Sequence, residues 1–460
     1  MHRLSKLKNG LSLITAPTGG TKAVTVMVLL PVGSRYETAK ISGASHFVEH
    51  LMFKGTKKRP TAQHISRELD AVGADYNAFT YKDYTGYYIK IDGRRVELAF
   101  DILADMLFDS TFDEKEITKE RGVIAEEIKM YEDNPSMAVE LVFDRTVFGG
   151  NPLGRDVAGT AETVKNITRD ELFAYYKNAY TPANMALAVS GNAPREKIKK
   201  LAAKYFANTP SSPPHQSIWC GGEPPPYQGG GTADSFPPLI KGSGKEGYFN
   251  KENFIKFSWP AGELPLEKRV SVEQRKIDQS HVVMGFAGFA YNDPIRYANA
   301  VLLTVLGSGM SSRLFVEVRE KRGLAYMIHA GGVSHNETGV ITINAGLDSN
   351  RLGEALSVIK SELKKIADKG ISKKELDDAK TNISGRMALS MENSSAVAEW
   401  FARQHWFADK IETPEQQLEK IERVTAGQVR GAARRFFDWK RMRLAVIGPK
   451  SKEEILKLLV

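Results

Sequence analysis

The sequence predicts an α+β fold built from two homologous, α/β sandwich-like halves, and three observations predict it. The first is an internal repeat: MALAVSGNAPREKIKKL at 185–201 resembles MRLAVIGPKSKEEILKL at 442–458 without a gap. Upstream in the same register, 167–184 lies over 424–441, so each copy reads as helix, short strand, second helix. The second is that several strand-like segments follow one another directly, which favours α+β over a doubly wound parallel sheet. The third is a stretch dense in Pro, Gly and Ser (NTPSSPPHQS, GGEPPPYQGGG, SFPPLIKGSGKEG at 208–247) that separates the copies.

Along the chain, the first half spans 1–207. KAVTVMVLLPVG and YNAFTYKDYTGYYIKID have strand character, while 94–109 and 112–133 carry helical periodicity. Residues 208–261 read as a flexible linker or insertion, and the echo of PPPYQGGG in FPPLIKGSG suggests low-complexity expansion. The second half spans 262–460, with HVVMGFAGF and GVITINAGL as strands and 351–368 and 372–392 as helices.

Composition narrows the function. A chain of 460 residues is too long for one ordinary core, which suits two domains. Hydrophobic residues at 42% and charged residues at 26% are those of a soluble globular protein. No run approaches the roughly 18 uninterrupted apolar residues of a membrane span, so no membrane partner is expected. The N-terminal MHRLSKLKNGLSLITAP alternates like a strand and offers neither a signal-peptide h-region nor an Arg/Ser-rich presequence. Cys220 is the single cysteine and suits a reducing compartment, so a cytoplasmic location is the default expectation. The net charge of +9 raises nucleic acid as a partner. Basic residues, however, sit beside acidic ones along helices, as in KKELDDAK and KSKEEILK. Without zinc-finger spacing or an RNA-recognition aromatic motif, nucleic acid is not expected as a partner.

Chemistry concentrates at ASHFVEHLMF, 44–53. On a helix, His46 and His50 stand one turn apart on one face, and their imidazoles can share a metal. Glu49 borders that face, completing the order H-x-x-E-H. Catalytic zinc takes three protein ligands and leaves a position for water, whose proton a nearby carboxylate can accept. Glu49 suits that base role, because ligation by all three neighbours would strain one helical turn. The third ligand comes from elsewhere. In FDEKEITKERGVIAEEIKMYED, 112–133, Glu120 and Glu127 lie two turns apart on one stripe, and Glu126 points about 100° away. One of the pair can ligate and the other orient a ligand from behind. Apolar neighbours (Phe47, Val48, Leu51, Met52, Phe53) argue that the histidines are partly buried and need partners. The repeat sharpens this: Glu120 falls on Ala379, Glu127 on Arg386, and the His46 helix on ANAVLLTVLGSG, which has no histidine. Only the first half can bind metal.

The segments ASHFVEHLMFKGT, GADYNAFTYKDYTGYY, ERGVIAEEIKMYEDNP and SSRLFVEVREKRGLAY together resemble the pitrilysin (insulinase) family of inverted-motif zinc peptidases. That family includes insulin-degrading enzyme and mitochondrial processing peptidase, and the likeness covers nearly the whole chain apart from 208–247. The resemblance implies one Zn2+ per chain on His46, His50 and Glu127, Glu49 as general base and Glu120 supporting the site. It implies that Asn77, Ala78, Phe79 and Thr80 form an edge strand that binds the substrate peptide by β-augmentation. It also pairs Arg319 and Tyr326, from the half without metal, as groups that stabilise the oxyanion or anchor the peptide.

The fold it implies closes around a peptide-binding chamber. Members of this length usually supply half of that chamber, which implies a homodimer with two complete sites or a heterodimer with an inactive paralogue. The expected activity is endoproteolysis of unfolded peptides or presequence-like segments. The alternative is a non-catalytic structural subunit of a processing-peptidase-like complex, and such subunits carry broken metal motifs where this one is intact.

Overall fold

The computed structural model describes residues 2–207, 255–260 and 262–459. Most of the expected linker, 208–254 together with 261, lies outside the described residues. Two sheets organise them. The first holds β1 (Arg3–Lys6), β2 (Ser12–Pro17), β3 (Ala23–Leu30), β4 (Asp75–Thr80), β5 (Thr85–Asp92) and β6 (Ala186–Gly191), in the order β1-β2-β6-β3-β5-β4. The second holds β7 (Val270–Gln274), β8 (Gln279–Ala287), β9 (Ala325–Ser334), β10 (Gly339–Asp348) and β11 (Arg443–Gly448), in the order β7-β11-β8-β10-β9.

Apart from β1 the two orders are the same. Each sheet has one parallel pair, β2 with β6 and β7 with β11, and is otherwise antiparallel. The repeat seen in sequence places Arg169 on Ala426 and Ala186 on Arg443. Helices Arg169–Ala179 and Ala426–Phe436 start at the first two, and β6 and β11 at the others. The chain is therefore an α+β protein of two duplicated halves.

Each half buries its sheet on both faces, which explains why its central strands read as continuous apolar runs. On β3, Val24, Val26 and Val28 face helices of their own half, while Met27 and Leu29 face the other way. That second face is covered by a helix from the other half: Ser394–Phe407 lays Val397, Ala398, Phe401 and Ala402 on the first sheet. The exchange is reciprocal. Helix Pro135–Phe148 of the first half sets Ala138, Val139, Phe143 and Val147 against Val283, Ala445 and Ile447 of the second sheet.

Two features close the seam. Arg35 donates to Asp83 (2.7 Å) within the first half and to Glu337 (2.5 Å) across it, while His335 Nδ1 lies 2.5 Å from Asp83. Residues 255–260 pack there too: the Phe257 ring meets Phe148 at 4.8 Å, and the Trp259 indole donates to the Gly339 carbonyl. Among the described residues no helix is long and apolar enough to cross a membrane.

Candidate metal centre

The helix Ala44–Met52 carries the H-x-x-E-H segment, and its start is fixed from two directions. Gly43 opens it at φ +98°, and a Cβ there would stand 2.6 Å from the Ala158 carbonyl oxygen, so glycine is required. The buried Glu37 carboxylate accepts the N–H groups of Gly43 and Ser45, both at 2.7 Å, satisfying donors that a helix leaves free. The Ser45 hydroxyl bonds to that of Tyr175. Phe47, Val48 and Leu51 then fill the core, which turns His46 and His50 toward the helix Glu114–Asp133.

His46 Nε2 and His50 Nε2 each stand 3.7 Å from Glu127 Oε2. The three ligand atoms all lie within 4.8 Å of one another. Two ligands at zinc–ligand distance from one tetrahedral ion are about 3.3 Å apart, so each imidazole–carboxylate pair needs to close by only a few tenths of an ångström. Burial, with the neighbouring His50, pushes the His46 imidazole down to about 4, and a neutral ring is the form that ligates metal. Two imidazoles and one carboxylate, half-buried on rigid helices, fit zinc by donor type and spacing.

Around this set the structure places the other expected residues. Glu120 is buried behind His50, its Oε2 3.0 Å from Nδ1, and its other oxygen accepts from Lys54 (2.7 Å). Burial alone would raise its carboxyl, but those two partners outweigh it and hold the group below the usual glutamate range. Glu49 is shifted the other way: burial raises it, the Thr80 hydroxyl and His50 pull it down, and Glu127 raises it further.

Asn77, Ala78, Phe79 and Thr80 lie on β4, the edge of the first sheet. Asn77 is exposed, and its side-chain oxygen accepts the N–H of Ala78. Arg319, in a single π-helical turn (Phe315–Glu320), lies over the Tyr326 ring at 5.6 Å, and Tyr326 is 74% exposed at the start of β9. Among the described residues no hydrogen bond, ion pair or ring contact joins that pair to His46, Glu49, His50 or Glu127. In the second half, Arg386 and Ala379 stand on helix Lys373–Met391 and supply no ligand.

Sequence reasoning does not pick out three residues at this site: Glu37, Lys54 and the Thr80 side chain. Lys54 had a signal, a cation four residues beyond His50, and Thr80 had one in the two-residue alternation of β4. Glu37 had none.

Fold and site together define a protein of duplicated α+β halves with, among the described residues, a candidate metal-ligand set in the first half alone. Comparison with known proteins agrees. Residues 13–161 match the family described as insulinase (peptidase family M16), and 166–383 match the peptidase M16 inactive domain. A zinc protease of Streptomyces coelicolor, itself uncharacterized, is 33% identical over 99% of this chain and 91% of its own. The uncharacterized zinc protease YmxG of Bacillus subtilis is 32% identical over 96% of this chain and 97% of its own. A protease from Helicobacter pylori has the same fold, with TM-score 0.82 at 23% identity over 98% of this chain and 99% of its own. The chain belongs to peptidase family M16, the insulinase family.

Proposed function

We propose that this chain is a zinc-dependent endopeptidase that cuts unfolded peptides or presequence-like segments. The observation that carries the reading is the convergence of His46, His50 and Glu127 around one point, with Glu49 on the same helix as both histidines. The description of these relatives as zinc proteases supports the same reading.

His46, His50 and Glu127 would hold the ion, which supplies Lewis acidity toward a carbonyl and lowers the pKa of water to about 7. The chain's own groups do the rest. The open edge of β4 pairs with an extended peptide through main-chain hydrogen bonds, so only flexible chains fit. Glu49 takes the proton of the attacking water at its free carboxylate oxygen and returns it to the leaving amine. Arg319 or Tyr326 donates to the charge growing on the scissile carbonyl oxygen, or anchors the peptide. Because one chain carries both the candidate metal set and this exposed pair, a homodimer with two complete sites is the arrangement we favour. A heterodimer with an inactive paralogue is the other.

The test is metal analysis of the purified protein with cleavage of a quenched fluorescent peptide before and after chelation. About one zinc per chain and chelator-sensitive cleavage are expected. Folded protein without metal or activity would overturn the proposal in favour of a structural subunit.

A further inference from the structure

Strand pairing needs only the backbone of Thr80, yet its side chain has a partner of its own. Along β4, Tyr76, Ala78 and Thr80 share one face, and Ala78 is buried in the first-half core. That face meets the helix Ala44–Met52, and the Thr80 hydroxyl donates to Glu49 Oε2. Among the described residues it is the one hydrogen bond that the Glu49 carboxylate receives. The two ends of this bond differ in stiffness. Thr80 is β-branched, with a restricted χ1, and its main chain is held by pairing with Thr85. Glu49 carries its carboxylate on a longer, unbranched side chain that has several rotamers.

We propose that Thr80 is a positioning residue for peptide hydrolysis. It holds one oxygen of Glu49 so that the other is free for the proton of the attacking water. Because Thr80 belongs to the strand that pairs with the peptide, alignment of the substrate and alignment of the base are set by the same six residues. This rests on Glu49 being the base and β4 the peptide-binding edge. A hydroxyl merely satisfied by a convenient carboxylate would instead leave turnover unchanged when removed.

The experiment compares Thr80→Val, which keeps shape and β-branching but loses the donor, with Thr80→Ser, which keeps the donor. For each, kcat and KM on a quenched peptide, zinc content and Tm are measured. Thr80→Val is expected to lower kcat about tenfold or more, a part of what a correctly aimed base supplies. Its KM stays within about twofold of wild type, and zinc content and Tm are retained. Thr80→Ser recovers most of the rate. Wild-type kcat in Thr80→Val overturns the inference. So does a loss that appears in KM or zinc content, or one that serine does not recover. Wild-type protein that holds zinc but cuts no peptide overturns the proposed function instead, so the two failures are distinct.

Discussion

His50 Nδ1 and Glu120 Oε2 are 3.0 Å apart, on the side of the imidazole away from Glu127. The carboxylate thus fixes the ring's tautomer and leaves Nε2 free for metal. Lys54 holds the other Glu120 oxygen, so this buried carboxylate is paired on both sides. Glu120→Ala should weaken zinc binding about 10- to 100-fold without removing a ligand, as measured by titration against a competing chelator. Exposed Glu126, one residue before Glu127 and paired among the described residues only with Lys129, is the control and should leave affinity unchanged as Glu126→Ala.

Base and ligand separate by mutation. Glu49→Gln keeps the bulk but removes the charge and basicity, and should retain about one zinc while losing about 10²- to 10⁴-fold in turnover. His50→Ala should lose the metal itself. Metal analysis and peptide cleavage on the same preparations decide both, and an active Glu49→Gln protein would contradict the assigned base.

How much of this is legible in sequence depends on the kind of information. The strand order of the second sheet follows from the repeat, because β11 starts at the residue that the register sets on Ala186. The metal set is legible because His46, His50 and the Glu120/Glu127 stripe are local patterns on two helices. The exchange of helices is not. Phe143 and Val147 read as one apolar helix face, but a binary pattern does not say which sheet that face covers. Their partners Val283, Ala445 and Ile447 lie far along the chain. β9 is also hard to see, since Gly331 and Gly332 weaken the strand signal in AYMIHAGGVS. Which of Glu120 and Glu127 faces both imidazoles is set by the packing of two helices, beyond what spacing alone decides.

The seam between the halves predicts an acid-sensitive stability. Arg35, Asp83 and His335 are buried, and Glu337 comes from the opposite half. Burial opposes ionisation of Asp83, but His335 and Arg35 outweigh it and hold its carboxyl below the usual aspartate range. Its contribution is therefore fully present above about pH 3.9 and is lost as pH falls through the lower folded value. Asp83→Asn removes one of the two carboxylates that pair with buried Arg35 among the described residues, leaving it Glu337, and should cost about 3–5 kcal/mol at pH 7. Urea unfolding from pH 7 to pH 3 checks both, since the variant should lack the part of the acid dependence due to Asp83.

The helix exchange gives the sharpest steric prediction. Phe143 lies directly on Gly285 of β8, where a built Cβ would stand 2.0 Å from the ring's Cζ. Gly285→Ala must displace the ring or the helix and should destabilise by about 1–3 kcal/mol through overpacking. Phe143→Ala empties the same space and should cost about 3–5 kcal/mol. In the double variant the added methyl occupies part of the vacated volume, so the two losses should fall short of their sum. Gly122, in the middle of an exposed helix turn with open space around it, should respond with the opposite sign, gaining about 0.5–1 kcal/mol as Gly122→Ala. Urea unfolding of the four proteins of the cycle, with Gly122→Ala beside them, measures this. Strict additivity at 143 and 285 would mean that the first-half helix does not rest on the second sheet at that point.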